Sequence, residues 1–194
     1  MPRLFIALPL NNETIHERLN DVFGYLKRFD NELKIVSPEN YHITLKFFGE
    51  CSEKMQNKIE EGFENTAWHK KIFPFTLFGL GVFPDLKNPN VIWAGIKTDE
   101  QLINKLAQIA EKFGTDLKFK KEKNVFTPHI TLARIRKGKK LSENMRQYLV
   151  ENKELFLYQS SFTKLSLYSS SLTKEGPIYT ELKSIKFTKD EPES

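Results

Sequence analysis

The tetrapeptide His-Ile-Thr-Leu occurs twice in the chain, at residues 42–45 and at 129–132. The copies begin 87 residues apart (129 − 42), close to half of the 194-residue length. A repeat at that spacing points to two related halves that each carry one copy. The flanks of both copies alternate apolar and polar residues, so each copy is expected on a strand. On a strand, residues i and i+2 share a face. His42 and Thr44 therefore share one face, as do His129 and Thr131, and the Ile and Leu of each copy point to the packed side. If two such strands face each other, two imidazoles and two hydroxyls line one cleft.

The chemistry of that cleft follows from the residue types. Imidazole titrates near neutral pH, so one ring can hold a proton while the other is neutral. Threonine hydroxyls can donate to anionic phosphate oxygens without adding charge. In-line attack on a phosphodiester needs this set: a base on the attacking oxygen and an acid on the leaving one. The chain has only four histidines, and His16 and His69 carry no motif and read as structural. Two histidines are too few for a metal site, and no acidic residue or third histidine lies at ligand spacing nearby. A nucleophilic triad would need a Ser or Cys beside a His with an orienting acid, and nothing marks one.

Around the motifs, strands are expected at 3–8, 33–36, 41–48, 72–83, 91–97, after Pro128 to 135, 154–168 and 177–187. Gly49 is expected to close the 41–48 strand. The glycines of 72–83 suggest a bulge or close backbone approach. Helices are expected from an Asn11 or Asn12 cap to about Phe29, from Ser52 to about Thr66, from a Thr98-Asp99-Glu100 cap to a stop at Gly114, and over 141–150. Residues 188–194 read as a frayed tail. The alternating strands favour half-exposed antiparallel sheets, hence an α+β chain over a doubly wound one.

Composition narrows the partners. The net charge is +5 and sixteen residues are Phe, which permits an anionic, stacking partner such as nucleic acid. The densest basic runs, Lys118 to Lys123 and Arg134 to Lys140, are first of all solvated surface. Cys51 is the single cysteine, so no intramolecular disulfide or Cys-rich zinc site can form. The first residues, MPRLFIALPL, suit a first strand better than a signal peptide. No stretch approaches the ~18 apolar residues of a membrane span. A cytoplasmic protein that engages no membrane is expected.

At the two motifs the sequence resembles the two-histidine phosphoesterase superfamily, whose signature is His-x-Thr-x twice. It is most similar to the RNA 2′,3′-cyclic phosphodiesterases, also called 2′-5′ RNA ligases. The matching segments are LFIALPL, NYHITLKFFGE, GVFP, VIWAGI, TPHITLARIR and LYSSSLTKEGPIYTEL. The resemblance implies a single domain over 1–194 built of two intertwined lobes. Each lobe would carry one motif, and two antiparallel sheets would form a central cleft with helices packed outside. It implies hydrolysis of RNA 2′,3′-cyclic phosphate ends to 2′-phosphomonoesters, with 2′-5′ RNA ligation as an associated activity. His42 would be the proton donor and His129 the proton acceptor, while Thr44 and Thr131 would hold the phosphate. Phe47 and Arg134, each five residues past its histidine, would contact base and phosphate. That odd offset puts both on the back of a regular strand, so they reach the cleft only if the strand twists, bulges or ends. Arg136 reads as a surface charge. No metal or organic cofactor is expected, and the protein is expected to act as a monomer on an RNA end or nucleotide. Two alternatives stay open: another two-histidine substrate, such as ADP-ribose cyclic phosphate or 2′-5′ oligonucleotides, and a non-catalytic RNA-binding module.

Overall fold

The computed structural model describes residues 1–10, 13–173 and 176–189. The chain opens with strand β1 (Arg3–Pro9), whose alternation splits its side chains between two faces. Leu4, Ile6 and Leu8 enter the main core, whereas Phe5 and Ala7 join Tyr168 and Tyr179 in a separate cluster. Both faces of this sheet are thus covered: one by helices, the other by aromatic residues lining a cleft.

The expected first helix is broken into α1 (Glu13–Arg18) and α2 (Asn20–Lys27). The break at Leu19 is slight, because Leu19 still donates to the Ile15 carbonyl and Phe23 to that of Leu19. The expected cap at Asn11 or Asn12 lies outside the described residues. After β2 (Leu33–Ile35) and a 3₁₀ turn (Pro38–Asn40) comes the first motif strand, β3 (His42–Glu50). It runs through Gly49 rather than ending there. The next helix is α3 (Glu53–Asn65), capped by the Ser52 hydroxyl, which accepts from the Met55 amide.

Strand β4 (Phe73–Phe83) contains the expected glycine bulge, with a register shift at Gly79 against β5 (Val91–Thr98). Helix α4 (Glu100–Asp116) is capped by Asp99, which accepts from Gln101 and Leu102. Gly114 does not stop it. That glycine is buried inside the helix, where a Cβ would lie 2.6 Å from Lys46 Cε. The helix ends at Leu117, before Lys118 takes a left-handed conformation (φ 68).

The second motif strand, β6 (His129–Ile135), is followed by α5 (Glu143–Glu151). The segment expected as one strand over 154–168 is two: β7 (Phe156–Phe162) and β8 (Lys164–Leu172), which belong to different sheets. Strand β9 (Pro177–Lys186) completes the fold.

Two antiparallel sheets result. One has the order β3-β1-β8-β9 and the other β2-β6-β5-β4-β7. Each carries one His-Ile-Thr-Leu strand, and each borrows from the opposite end of the chain: β8 and β9 join the first, β2 the second. Helices α4 and α3 lie against β3 and β9 of the first sheet, while α2 and α5 lie against β2 and β4 of the second. The motif strands β3 and β6 meet between the sheets. No helix among the described residues is long and apolar enough to cross a membrane.

Candidate active site

Each motif histidine opens its strand and is fixed in the same way. His42 Nδ1 lies 2.7 Å from the carbonyl oxygen of Asn40, and His129 Nδ1 lies 2.6 Å from that of Thr127. A carbonyl oxygen can only accept, so both rings carry hydrogen on Nδ1. Nε2 is left as the reactive nitrogen in each: a lone pair when the ring is neutral, a donor when it is charged.

Aromatic walls hold the rings. Phe5 packs against His42 at 4.9 Å between centroids, and Tyr179 meets it edge-on at 5.3 Å. On the other sheet, Phe83 meets His129 edge-on at 4.9 Å, with Trp93 at 6.4 Å. Trp93 lies flat on its sheet because Gly81, its cross-strand neighbour, has no side chain. A Cβ there would come within 2.2 Å of the indole.

Both strands bulge at the same point after the motif. Ala7 pairs with Thr44 and Ile6 with Lys46, so Leu45 is the extra residue of β3. Trp93 pairs with Thr131 and Ile92 with Ala133, so Leu132 is the extra residue of β6. A bulge shifts the alternation by one. Leu45 and Lys46 both turn inward, and Phe47 returns to the cleft face, 48 % exposed and paired with Phe5. Leu132 and Ala133 likewise turn inward, and Arg134 emerges exposed on the face of His129 and Thr131. The odd offset thus brings Phe47 and Arg134 onto the histidine face. The matching bulges also extend the repeat beyond the four identical residues.

At the first bulge the inward residue is charged. Lys46 is 1 % exposed, and its Nζ donates to both oxygens of Glu111 on α4 at 3.0 Å and to the Lys120 carbonyl at 2.9 Å. Ala133 occupies the corresponding place in the second copy.

The electrostatics of the cleft favour neutral rings. Burial lowers the pKa of His42 to about 4; the Asn40 carbonyl opposes this, while the positive charges of His129 and Arg134 add to it. His129 is lowered for the same reasons, chiefly burial and then Arg134, against the pull of the Thr127 carbonyl. Arg134 also lowers Tyr179, whose net shift is upward through burial. One guanidinium thus acts on both histidines and on the aromatic wall. Among the described residues, no three His, Cys, Asp or Glu side chains gather where they could hold a metal ion.

The LigT-like phosphoesterase model matches the chain in two stretches, residues 8–93 and 96–179, each containing one motif strand. The chain belongs to the LigT-like phosphoesterases. Similar proteins include one from Methanothermobacter thermautotrophicus, 30% identical over 93% of this chain and 96% of that protein, and one from Aquifex aeolicus, 34% identical over 84% and 87%. Both are named RNA 2′,3′-cyclic phosphodiesterase. Among solved structures, a Thermus thermophilus protein superposes with a TM-score of 0.78 at 26% identity, covering 95% of this chain and 97% of that one. E. coli LigT complexed with 3′-AMP superposes with a TM-score of 0.73 at 25% identity, covering 97% and 99%. The chain is therefore a phosphoesterase with the α+β, two-sheet fold of that family.

Of the residues singled out in the sequence, the fold brings His42, Thr44 and Phe47 to one wall and His129, Thr131 and Arg134 to the other. Arg136 is not a free surface charge: it donates to the carbonyls of Asp30 and Leu33 and ties β2 to its neighbour. Sequence reasoning missed Phe5, Tyr168 and Tyr179 beside His42, and Phe83 and Trp93 beside His129. The alternation of β1 could have shown Phe5 leaving the main core. The carbonyls that orient the imidazoles carry no side-chain signal at all.

Proposed function

We propose that this phosphoesterase opens RNA 2′,3′-cyclic phosphate ends to 2′-phosphomonoesters, with His42 as proton donor and His129 as base. The observation that carries this is the matched pair of imidazoles, each oriented through Nδ1 and presenting Nε2 to a shared cleft. The names of the similar proteins supply the substrate class.

In the proposed step His129 Nε2 takes a proton from water as its oxygen attacks phosphorus. The P–O3′ bond breaks, and His42 Nε2 passes its proton to O3′, leaving a 2′-phosphate and a free 3′ hydroxyl. Thr44 and Thr131 donate to the non-bridging oxygens, and Arg134 offsets their charge; donors already in place need no reorganisation. A donor must enter the step charged, whereas burial keeps both rings neutral in the empty cleft at pH 7. The phosphate supplies the correction, since an anion beside a histidine favours its charged form. Substrate binding therefore loads the proton that the reaction spends. No step requires a metal, so EDTA is expected to leave the rate unchanged.

The test is hydrolysis of nucleoside 2′,3′-cyclic phosphates by His42→Ala and His129→Ala. Each is expected to lose about 10² to 10⁴-fold, with circular dichroism unchanged. Full activity in either variant would overturn the mechanism. A substrate with sulfur at the 3′ bridging position tests the direction, because a thiolate leaves without a proton. It should rescue His42→Ala and not His129→Ala; rescue of His129→Ala alone would reverse the assignment. Turnover only of ADP-ribose cyclic phosphate or of 2′-5′ oligonucleotides would replace the substrate and keep the pair.

A further inference from the structure

The two lobes share a motif but not its surroundings. Beside His42 the first sheet opens into a cavity of about 360 Å³, lined by Phe5, Tyr168, Tyr179 and Ile178, with Glu39 and Asn40 on its rim. That volume is at the small end for ligand pockets, which run from about 300 Å³. On the other lobe, Trp93 lies flat over Gly81 beside His129.

The cavity is built. Phe5 is its floor, with Tyr168 stacked nearly parallel at 5.3 Å and Tyr179 edge-on at 5.0 Å. Tyr168 is held in place through its hydroxyl, which donates to Glu181 at 3.2 Å. The same carboxylate oxygen accepts from Ser166 and Lys164. Across the rim, the Asn40 side-chain amide donates to the Pro177 carbonyl at 3.4 Å, joining the 39–41 turn to the start of β9. The Glu39 carboxyl is held below its usual range, first by the Ser37 hydroxyl and then by its own backbone amide. The rim therefore presents an anion that can only accept hydrogen bonds.

From this asymmetry we infer that the cavity beside His42 is the base pocket of the terminal nucleoside, and that Glu39 makes it select bases with adjacent N–H donors, guanine above all. The inference rests on the proposed direction of the reaction. With His42 protonating O3′, the ribose that carries O3′ sits on the His42 side and water attacks from the His129 side. The base of that ribose then lies over Phe5 and between the tyrosines, where flat aromatic faces suit stacking. Guanine offers N1–H and N2–H side by side to a carboxylate. Uracil places carbonyl oxygens on both sides of its one ring N–H, so its edge repels the anion. A site built to pair with donors discriminates strongly against an analogue lacking them.

The test compares kcat/KM for the four nucleoside 2′,3′-cyclic monophosphates and for abasic ribose 2′,3′-cyclic phosphate. The whole protein is expected to favour the guanosine substrate over the uridine one by at least ten-fold. Glu39→Gln should shrink that ratio at least five-fold. Ile178→Trp, a substitution at an exposed rim position, should fill the pocket and lower the ratio of nucleoside to abasic turnover. Equal rates for all four bases, unmoved by either variant, would overturn the base pocket while leaving the phosphodiesterase standing. No turnover of any cyclic phosphate would instead defeat the reaction on which the pocket rests.

Discussion

The buried ion pair behind the first motif gives a prediction whose size can be worked out. Lys46 Nζ has three partners: two Glu111 oxygens and the Lys120 carbonyl. Glu111→Ala removes two of them and leaves an ammonium whose side chain is 0% exposed with one carbonyl for company. Breaking a buried pair from one side costs about 3–5 kcal/mol. The Glu111 side chain is itself 20% exposed, so water can reach the vacated space, and about 2–4 kcal/mol is expected. For a domain of this size that lowers Tm by about 4–16 °C, at roughly 2–4 °C per kcal/mol. Lys46→Met removes the charge along with the need for a partner and should stay within about 1 kcal/mol of the parent. The Lys46→Met/Glu111→Ala double variant should then recover most of the loss, a coupling that urea denaturation measures directly. The pair also fixes the phase of the bulge. If Lys46 left the interior, β3 could regularise and turn Phe47 away from the cleft. Glu111→Ala should therefore raise KM for RNA ends as well as lowering stability. A Glu111→Ala variant within about 0.5 kcal/mol of the parent, or a double variant no better than the single, would refute the reasoning.

Other consequences are measurable. Since burial and Arg134 both lower the two histidines, the bell of kcat/KM against pH should centre on the acid side of about 6.5, the ordinary histidine value; Arg134→Gln should shift it to higher pH while weakening phosphate binding, and an unmoved profile would contradict the charge coupling. In stability the sign runs the same way. A histidine kept neutral by folding contributes above its unfolded pKa, so urea midpoints should hold above pH ~6.5 and fall as pH drops toward about 4, less steeply in His42→Ala. Gly81→Ala drives a methyl into the Trp93 ring and should cost about 1–3 kcal/mol, with near-ultraviolet circular dichroism reporting a displaced indole. Phe47→Ala, at a half-exposed position, should leave Tm nearly unchanged and raise KM for RNA ends, as steady-state kinetics would reveal.

The sequence made the two motif strands, their shared face and the α+β class legible because period-2 alternation and a repeated tetrapeptide are local signals. What it hid was non-local. The passage from β7 to β8 crosses between sheets at Phe162-Thr163-Lys164 without glycine or proline, so nothing marks the break. Helix α4 continues through Gly114 because the helix must admit the Lys46 stem, a reason that lies on another element. The bulges are silent too: Leu45-Lys46 and Leu132-Ala133 share no composition, yet both pairs turn inward. Phe47 and Arg134 reach the cleft by that shift, which the offset from the histidines allowed but could not supply.

Identical local frames at His42 and His129 have a mechanistic consequence. Each ring donates through Nδ1 to the carbonyl two residues before it, so neither is specialised as acid or base by its own hydrogen bonds. Either could play either part, and the roles must be divided by what each lobe holds in place. A leaving nucleoside needs room and a stacking surface, whereas an attacking water needs only a small site on the opposite side of phosphorus. The cavity over Phe5, Tyr168 and Tyr179 lies on the His42 side, and the flat Trp93 lies on the other. On the proposed direction, the duplicated motif thus provides two equivalent proton carriers, and the unduplicated aromatic residues around it assign their roles.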